Sequence, residues 1–261
     1  MKIRAALLYT EGTNCNLETE NAFKYLGVET ETLILNNVIK NKGNFDKYHI
    51  IAIPGGFSYG DDISAGKVFA TLLMHYKLEE IMRFISQGKL IIGICNGFQV
   101  LVKTGLLPNT SATIKTESTL AFNDSGVFID KWVNLRVNKN SVSKFIGTDL
   151  PDIIELPIAH AEGKFIAPGD VLNKMISNNQ IVFQYSSSDG NVDEKYNSNG
   201  SIMNIAGICD KTGQILGLMP HPERFSSAYQ HPAWQRLGLK EEGTGLLLFK
   251  NAVDYIKNNI I

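Results

Sequence analysis

The chain has 261 residues, 44% of them hydrophobic and 20% charged, with 25 Lys and Arg against 26 Asp and Glu and a formal net charge of −1 at pH 7. That composition supplies a sizeable core and excludes intrinsic disorder, and so even a charge balance gives no electrostatic footprint for nucleic acid. No run approaches the ~20 apolar residues of a membrane span, and three well-separated cysteines make neither a disulfide framework nor a zinc-ligand set, so a soluble, cytoplasmic protein without a membrane partner is expected.

In chain order, Ile3 to Tyr9 predicts a strand, then a helix from Leu17 to Leu26 capped by Asn16, with Thr30 to Leu35 and Tyr48 to Ile53 as the next strands. A long helical region is expected from Asp61 to Ser86, with Asp61 and Asp62 capping it, and Lys89 to Ile94 as a fourth strand. This alternation implies an α/β fold with a doubly wound, mostly parallel sheet whose functional groups gather at the carboxyl ends of the strands. From Val127 onward the pattern changes to strands separated by turns: Val127 to Val137, Ile153 to Ile158, Gln180 to Tyr185, Ile202 to Ile208 and Gln214 to Met219. These predict an antiparallel extension of the same sheet, with Ser186 to Ser201 as a surface loop. Leu246, Phe249, Val253 and Ile256 mark the apolar face of a terminal helix. Without repeats or linkers, a single domain over 1–261 is expected, with 225–261 as a helical tail.

The fourth strand breaks at Gly93-Ile94-Cys95-Asn96-Gly97-Phe98-Gln99, a glycine-flanked cysteine followed by helical spacing at Phe98, Leu101 and Val102. Such a turn is a nucleophile elbow, which sets the thiol at a helix N-terminus where thiolate is favoured. Buried packing is the competing role for any cysteine. Gly207-Ile208-Cys209 is an internal control, because there a turn at Asp210-Lys211-Thr212-Gly213 follows and Cys209 reads as a core residue of a hairpin. After the third strand, Pro54-Gly55-Gly56-Phe57-Ser58 makes a second glycine-rich turn at the same sheet edge, where the backbone N–H of Gly55 or Gly56 can join that of Asn96 in an oxyanion hole. It is not a phosphate loop: Gly60 to Gly66-Lys67 has one residue too many, and Val68 stands where a magnesium-binding hydroxyl belongs.

Five histidines compete as the base for Cys95. His49 and His75 fall in a strand and a helix, and His231 has no assignable context. His221 follows the strand ending at Met219, flanked by Pro220 and Pro222, with Glu223 two residues on to orient the imidazole. His160 and Glu162 read as pocket lining, since a His-x-Glu without a third ligand makes no metal site.

The elbow, the Pro54 to Asp62 turn and Met219-Pro220-His221-Pro222-Glu223-Arg224 together resemble the class I (triad) glutamine amidotransferases. More narrowly they are similar to the branch of glutaminase subunits that serve phosphoribosylformylglycinamidine synthesis in purine biosynthesis, a likeness that includes Gly12-Thr13-Asn14-Cys15, Pro157-Ile158-Ala159-His160 and Asn199-Gly200-Ser201. The resemblance implies the flavodoxin-like class I glutaminase fold. It implies Cys95 as nucleophile on the glutamine amide, His221 as proton shuttle, Glu223 as its orienter, and Gln99 with the Gly55-Gly56 backbone holding substrate and oxyanion. It further implies a separate synthetase subunit that uses ATP and magnesium, a small accessory subunit, ammonia passed between them, and no cofactor or metal in this chain. Glu11, Ala161 and Ser198 depart from residues common in the family, all outside the triad. The rival enzyme class, a cysteine peptidase or deglycase of a related elbow fold, commonly carries histidine where Asn96 stands. The other rival, a non-catalytic subunit, predicts that loss of Cys95 changes nothing.

Overall fold

A computed structural model describes residues 2–40, 45–239 and 242–261. Lys240 and Glu241, within the expected tail, lie outside the described residues, as does Met1. The first half of the chain runs β1 (Arg4–Tyr9), α1 (Asn16–Tyr25), β2 (Glu29–Ile34), α2 (Leu35–Lys40), β3 (Ile50–Ile53), α3 (Lys67–Ser86), β4 (Leu90–Ile94) and α4 (Asn96–Lys103). The second half adds β5 (Thr119–Ala121), β6 (Ile129–Val137), β7 (Ile153–His160), β8 (Lys164–Ile166), α5 (Gly169–Ser177), β9 (Ile181–Ser186), β10 (Ile205–Cys209), β11 (Ile215–Leu218) and α6 (Leu246–Asn259).

Nine strands form one sheet in the order β2-β1-β3-β4-β11-β10-β9-β6-β7, while β5 and β8 pair separately. The strands from β2 to β11 in that order are mutually parallel, and those from β11 to β7 are antiparallel. Burial follows position in the sheet rather than strand direction, since antiparallel β10 at its centre is as completely buried as β3 and β4. β3 and β4 are buried at every position, as strands covered by helices on both faces must be, whereas β7 alternates at period two with one face inward. Edge strand β2 carries Glu29 and Glu31, paired with Lys2, Arg4 and Lys47, and charge of this kind discourages further strand pairing.

Close approach of α4 to the sheet sets the elbow. A Cβ on Gly97 would lie 1.9 Å from the Ile53 carbonyl oxygen, one on Gly93 would lie 2.5 Å from the Gly97 oxygen, and one on Gly217 would strike the Phe98 ring at 2.2 Å. The glycines flanking Cys95 therefore do more than ease a turn. They let the helix start directly on β3 and β4, and Gly217 does the same on β11.

Several boundaries differ from expectation for local reasons. Leu35 opens α2, a short helix the strand-like run concealed. The helix expected from Asp61 begins at Lys67, because Tyr59, Gly60, Asp61 and Ile63 all have positive φ and Gly66 enters the helix from the left-handed region. Asp61 and Asp62 therefore do not cap it. Asn16 is the first helical residue of α1, with Cys15 at the cap position. Ile202–Asn204 is a 3-10 turn with Met203 and Asn204 at positive φ, so β10 starts only at Ile205. The loop expected at the surface is exposed or half-buried through its middle but buried at its ends: Ser186, Ser187, Asn199 and Ser201 are buried, and Asn199 donates to Gly163 O at 2.7 Å. Cys209 is fully buried at the end of β10. In the tail, α6 buries Leu246, Phe249, Val253 and Ile256, and Phe249 meets Phe23 of α1 edge to face at 5.0 Å. Among the described residues, no helix is long and apolar enough to cross a membrane.

Candidate active site

Cys95 occupies φ 52°, ψ −104°, a backbone conformation that costs a non-glycine residue roughly 1–3 kcal/mol and persists only where surrounding structure enforces it. Enforcement comes from its N–H, which donates to Leu218 O at 2.8 Å, and its carbonyl, which accepts from Gln99 N at 3.1 Å. The side chain, 6% exposed, approaches Ala159 O at 3.6 Å. The first amides of α4 lack intrahelical acceptors and favour negative charge on the sulfur or on a nearby oxyanion.

His221 follows β11, and its backbone N–H donates to Pro157 O of β7 at 2.8 Å. Pro222 opens the 3-10 turn Pro222–Phe225, which folds Glu223 back so that its Oε1 lies 2.6 Å from His221 Nδ1. A carboxylate only accepts, so Nδ1 carries the proton and Nε2, buried without a hydrogen-bond partner, is left for chemistry. Burial works against a charged imidazole here, but the Glu223 carboxylate and the neighbouring Cys95 and Cys15 sulfurs outweigh it and hold His221 well above its ordinary range. His160 behaves oppositely: burial, then the charge of His221, pull it down to about 4, and its Nδ1 is engaged by Asn123 Oδ1 at 3.0 Å. It is a neutral wall beside the base.

The Gly55-Gly56 turn is gripped by residues 12–15. Gly55 O accepts from Asn14 N and Cys15 N, both at 3.2 Å, and Phe57 N donates to Gly12 O at 2.8 Å, so that Thr13 and Gly56 face each other in one antiparallel bridge. In a trans peptide the N–H opposes the C=O, so the Gly56 N–H points away from this segment. Gly56 has φ 143°, and a Cβ there would meet Gly12 O at 2.4 Å. A Cβ on Gly55 would lie 2.9 Å from His221 Cε1, 3.1 Å from Cys15 Sγ and 3.4 Å from Cys95 Cβ. Nucleophile, base and turn thus converge on one missing side chain.

Asn96 and Gln99 are placed differently from what substrate contact alone requires. Asn96 Oδ1 accepts from Ser58 N at 3.3 Å, and its Nδ2 donates to Asp61 Oδ1 at 3.2 Å and Gln99 Oε1 at 3.0 Å. Gln99 Nε2 in turn donates to Glu162 O at 2.6 Å. Both side chains therefore tie the turn, α4 and the loop after β7 together, and Asp61 joins this tie instead of capping α3. Burial and then the charge of Glu162 raise Asp61 to about 6.

Cys15 has no catalytic motif of its own, yet Gly12-Thr13-Asn14-Cys15 follows β1 at the sheet edge that carries every other site segment, and that placement is the signal for it in the sequence. Cys15, His221 and Glu223 offer donor atoms within 4.8 Å of one another, the sole such grouping among the described residues. The closed His221–Glu223 hydrogen bond and the Arg224 guanidinium, 3.2 Å from Cys15 Sγ, already occupy the space and charge a cation would need.

The sequence profile of the CobB/CobQ-like glutamine amidotransferase domain matches residues 2–256. The chain belongs to this glutamine amidotransferase family. This amidotransferase is 45% identical to the phosphoribosylformylglycinamidine synthase subunit PurQ of Dehalococcoides mccartyi over 98% of both chains. It is 39% identical to the PurQ subunit of Archaeoglobus fulgidus, again over 98% of both. Among solved structures, PurLQS from Thermotoga maritima superposes with a TM-score of 0.74 at 31% identity, covering 98% of the amidotransferase and 100% of the matched chain. The α/β architecture with its mostly parallel sheet core is thus the fold of its relatives.

Proposed function

We propose that this amidotransferase is the glutaminase subunit of phosphoribosylformylglycinamidine synthase, releasing ammonia from glutamine for purine biosynthesis. The observation that carries the reading is the convergence of Cys95, the His221–Glu223 pair and the Gly55-Gly56 turn on one point. The thiolate of Cys95 attacks the side-chain carbonyl carbon of glutamine. Negative charge moves to the oxygen, which the N–H groups of Gly56 and Asn96 receive, each such donor lowering the barrier by about 3 kcal/mol. His221, held protonated by Glu223, gives its proton to the departing nitrogen, and the C–N bond breaks to leave ammonia and a γ-glutamyl thioester on Cys95. Water then gives a proton to His221 and adds to the thioester carbonyl, and glutamate leaves as the thiolate is restored.

Asn96 and Gln99 hold the pocket wall by their side chains, so their substrate contacts are secondary to positioning. Amination of formylglycinamide ribonucleotide, with its ATP and magnesium, belongs to a synthetase partner, joined by a small accessory subunit. Phe57, beside the glycine turn, and Phe128 are both exposed with ring centroids 6.4 Å apart, an apolar rim suited to such a partner. A single domain acting in the cytoplasm completes the reading. The retained triad disfavours a non-catalytic subunit, and Asn96 after the nucleophile disfavours the peptidase and deglycase chemistries.

The test is nitrogen transfer. With [amide-15N]glutamine and unlabelled ammonium present, the assembled enzyme is expected to place 15N in formylglycinamidine ribonucleotide, read by mass spectrometry. Product carrying only the unlabelled nitrogen of bulk ammonium contradicts the assignment.

A further inference from the structure

Cys15 touches both halves of this machinery without being the nucleophile. It stands between β1 and α1, 1% exposed, with its carbonyl held by Thr19 N at 3.1 Å and Thr19 Oγ1 at 2.8 Å. Its thiol donates to Asn14 Oδ1 at 3.1 Å and accepts from Arg224 Nη2 at 3.2 Å. The sulfur lies 3.9 Å from His221 Nδ1. Arg224 is itself directed by Glu18 of α1 at 3.8 Å. A buried thiol whose hydrogen and lone pairs are all engaged is a fixture rather than a reactive group, and burial pushes its pKa up.

Two restraints meet in this one residue. Its N–H helps fix Gly55 O, and with it the outward direction of the Gly56 N–H. Its sulfur lies against the same Nδ1 edge that Glu223 engages, so the two together brace the ring on the side opposite Nε2 and keep it from tilting toward α1. We propose that Cys15 is a positioning residue of the glutaminase site, coupling the oxyanion turn to the base by holding the Gly55-Gly56 peptide through its backbone and the Nδ1 edge of His221 through its sulfur. This rests on the glutaminase reading for its effect on turnover.

Cys15→Ala and Cys15→Ser, compared with wild type, test the side-chain half. Turnover is measured per Cys95 site titrated with an electrophilic glutamine analogue, and iodoacetamide alkylation of the Cys95 peptide is followed against pH by mass spectrometry. Cys15→Ala is expected to lower kcat about tenfold with KM for glutamine within about twofold, since small misplacement of a catalytic group is costly in rate. Its alkylation profile should lose the imidazolium-dependent step at lower pH than wild type, because an acceptor that favours the protonated ring is gone. Cys15→Ser, which still accepts from Arg224, should recover most of both. An alanine variant with wild-type kcat per site and an unmoved alkylation profile overturns the proposal, even if its yield or stability falls. Alkylation does not require glutamine, so if wild type failed to turn over glutamine the functional reading would fall while the positioning claim was still decided by the profile.

Discussion

Cys95→Ala should lower glutamine-dependent turnover by at least about 10⁴-fold and leave ammonia-dependent amination by the assembled enzyme intact. The magnitude follows from the covalent route, since without sulfur there is no thioester and water must attack an unactivated amide. Preservation of the ammonia reaction follows from the division of labour between subunits. The substitution is conservative for the fold, because Cys95 is held in its strained conformation through backbone hydrogen bonds to Leu218 and from Gln99. Side-by-side rates with saturating glutamine and with ammonium chloride check it. Equal loss of both would mean that the variant had damaged the assembly rather than the glutaminase chemistry.

The second large effect separates the base from its orienter. His221→Ala is expected to cost about 10⁴-fold or more, and Glu223→Gln about 10²- to 10³-fold, because an imidazole without its carboxylate still transfers protons whereas alanine does not. The pH dependence gives the sign. Glu223 is the foremost of the charges that hold His221 above its ordinary range against the pull of burial, so neutralising it lets the imidazolium lose its proton at lower pH. The alkaline limb of the rate profile should therefore move down in Glu223→Gln. Labelling rates of Cys95 with an electrophilic glutamine analogue, taken across pH, measure both the ranking and the shift.

Much of the fold was legible because apolar runs such as Ile50–Ile53 and Leu90–Ile94 are buried on both faces, and the alternation in β7 is buried on one. What escaped was set by distant partners. The helix expected from Asp61 does not start there, because the glycines, serines and aspartates of 58–66 are poor helix formers, the backbone is turned into the left-handed region and Asp61 is drawn to Asn96. Asn199 and Ser201 look like loop surface residue by residue, but their hydrogen bonds to the buried Gly163 and Phe165 backbone place them inside. The elbow and the His-Pro-Glu turn could be found locally since each is a short segment with its own backbone signature. Their convergence with Gly55 and Cys15 depends on four strand ends meeting at one sheet edge, a relation no window of sequence contains. Gln99 adds a feature that no sequence window shows: the family resemblance implies substrate contact for it, and both ends of its amide are engaged by Asn96 and Glu162.

In the proposed reaction Cys95 carries the glutamyl group between release of ammonia and release of glutamate. Rapid acid quench of the assembled enzyme turning over glutamine, followed by peptide mass spectrometry, measures this directly. A γ-glutamyl thioester is expected on the Cys95 peptide and not on that of Cys95→Ala. Formation of glutamate and ammonia at full rate with the adduct on Cys15 or Cys209, or with no covalent adduct at all, would contradict it.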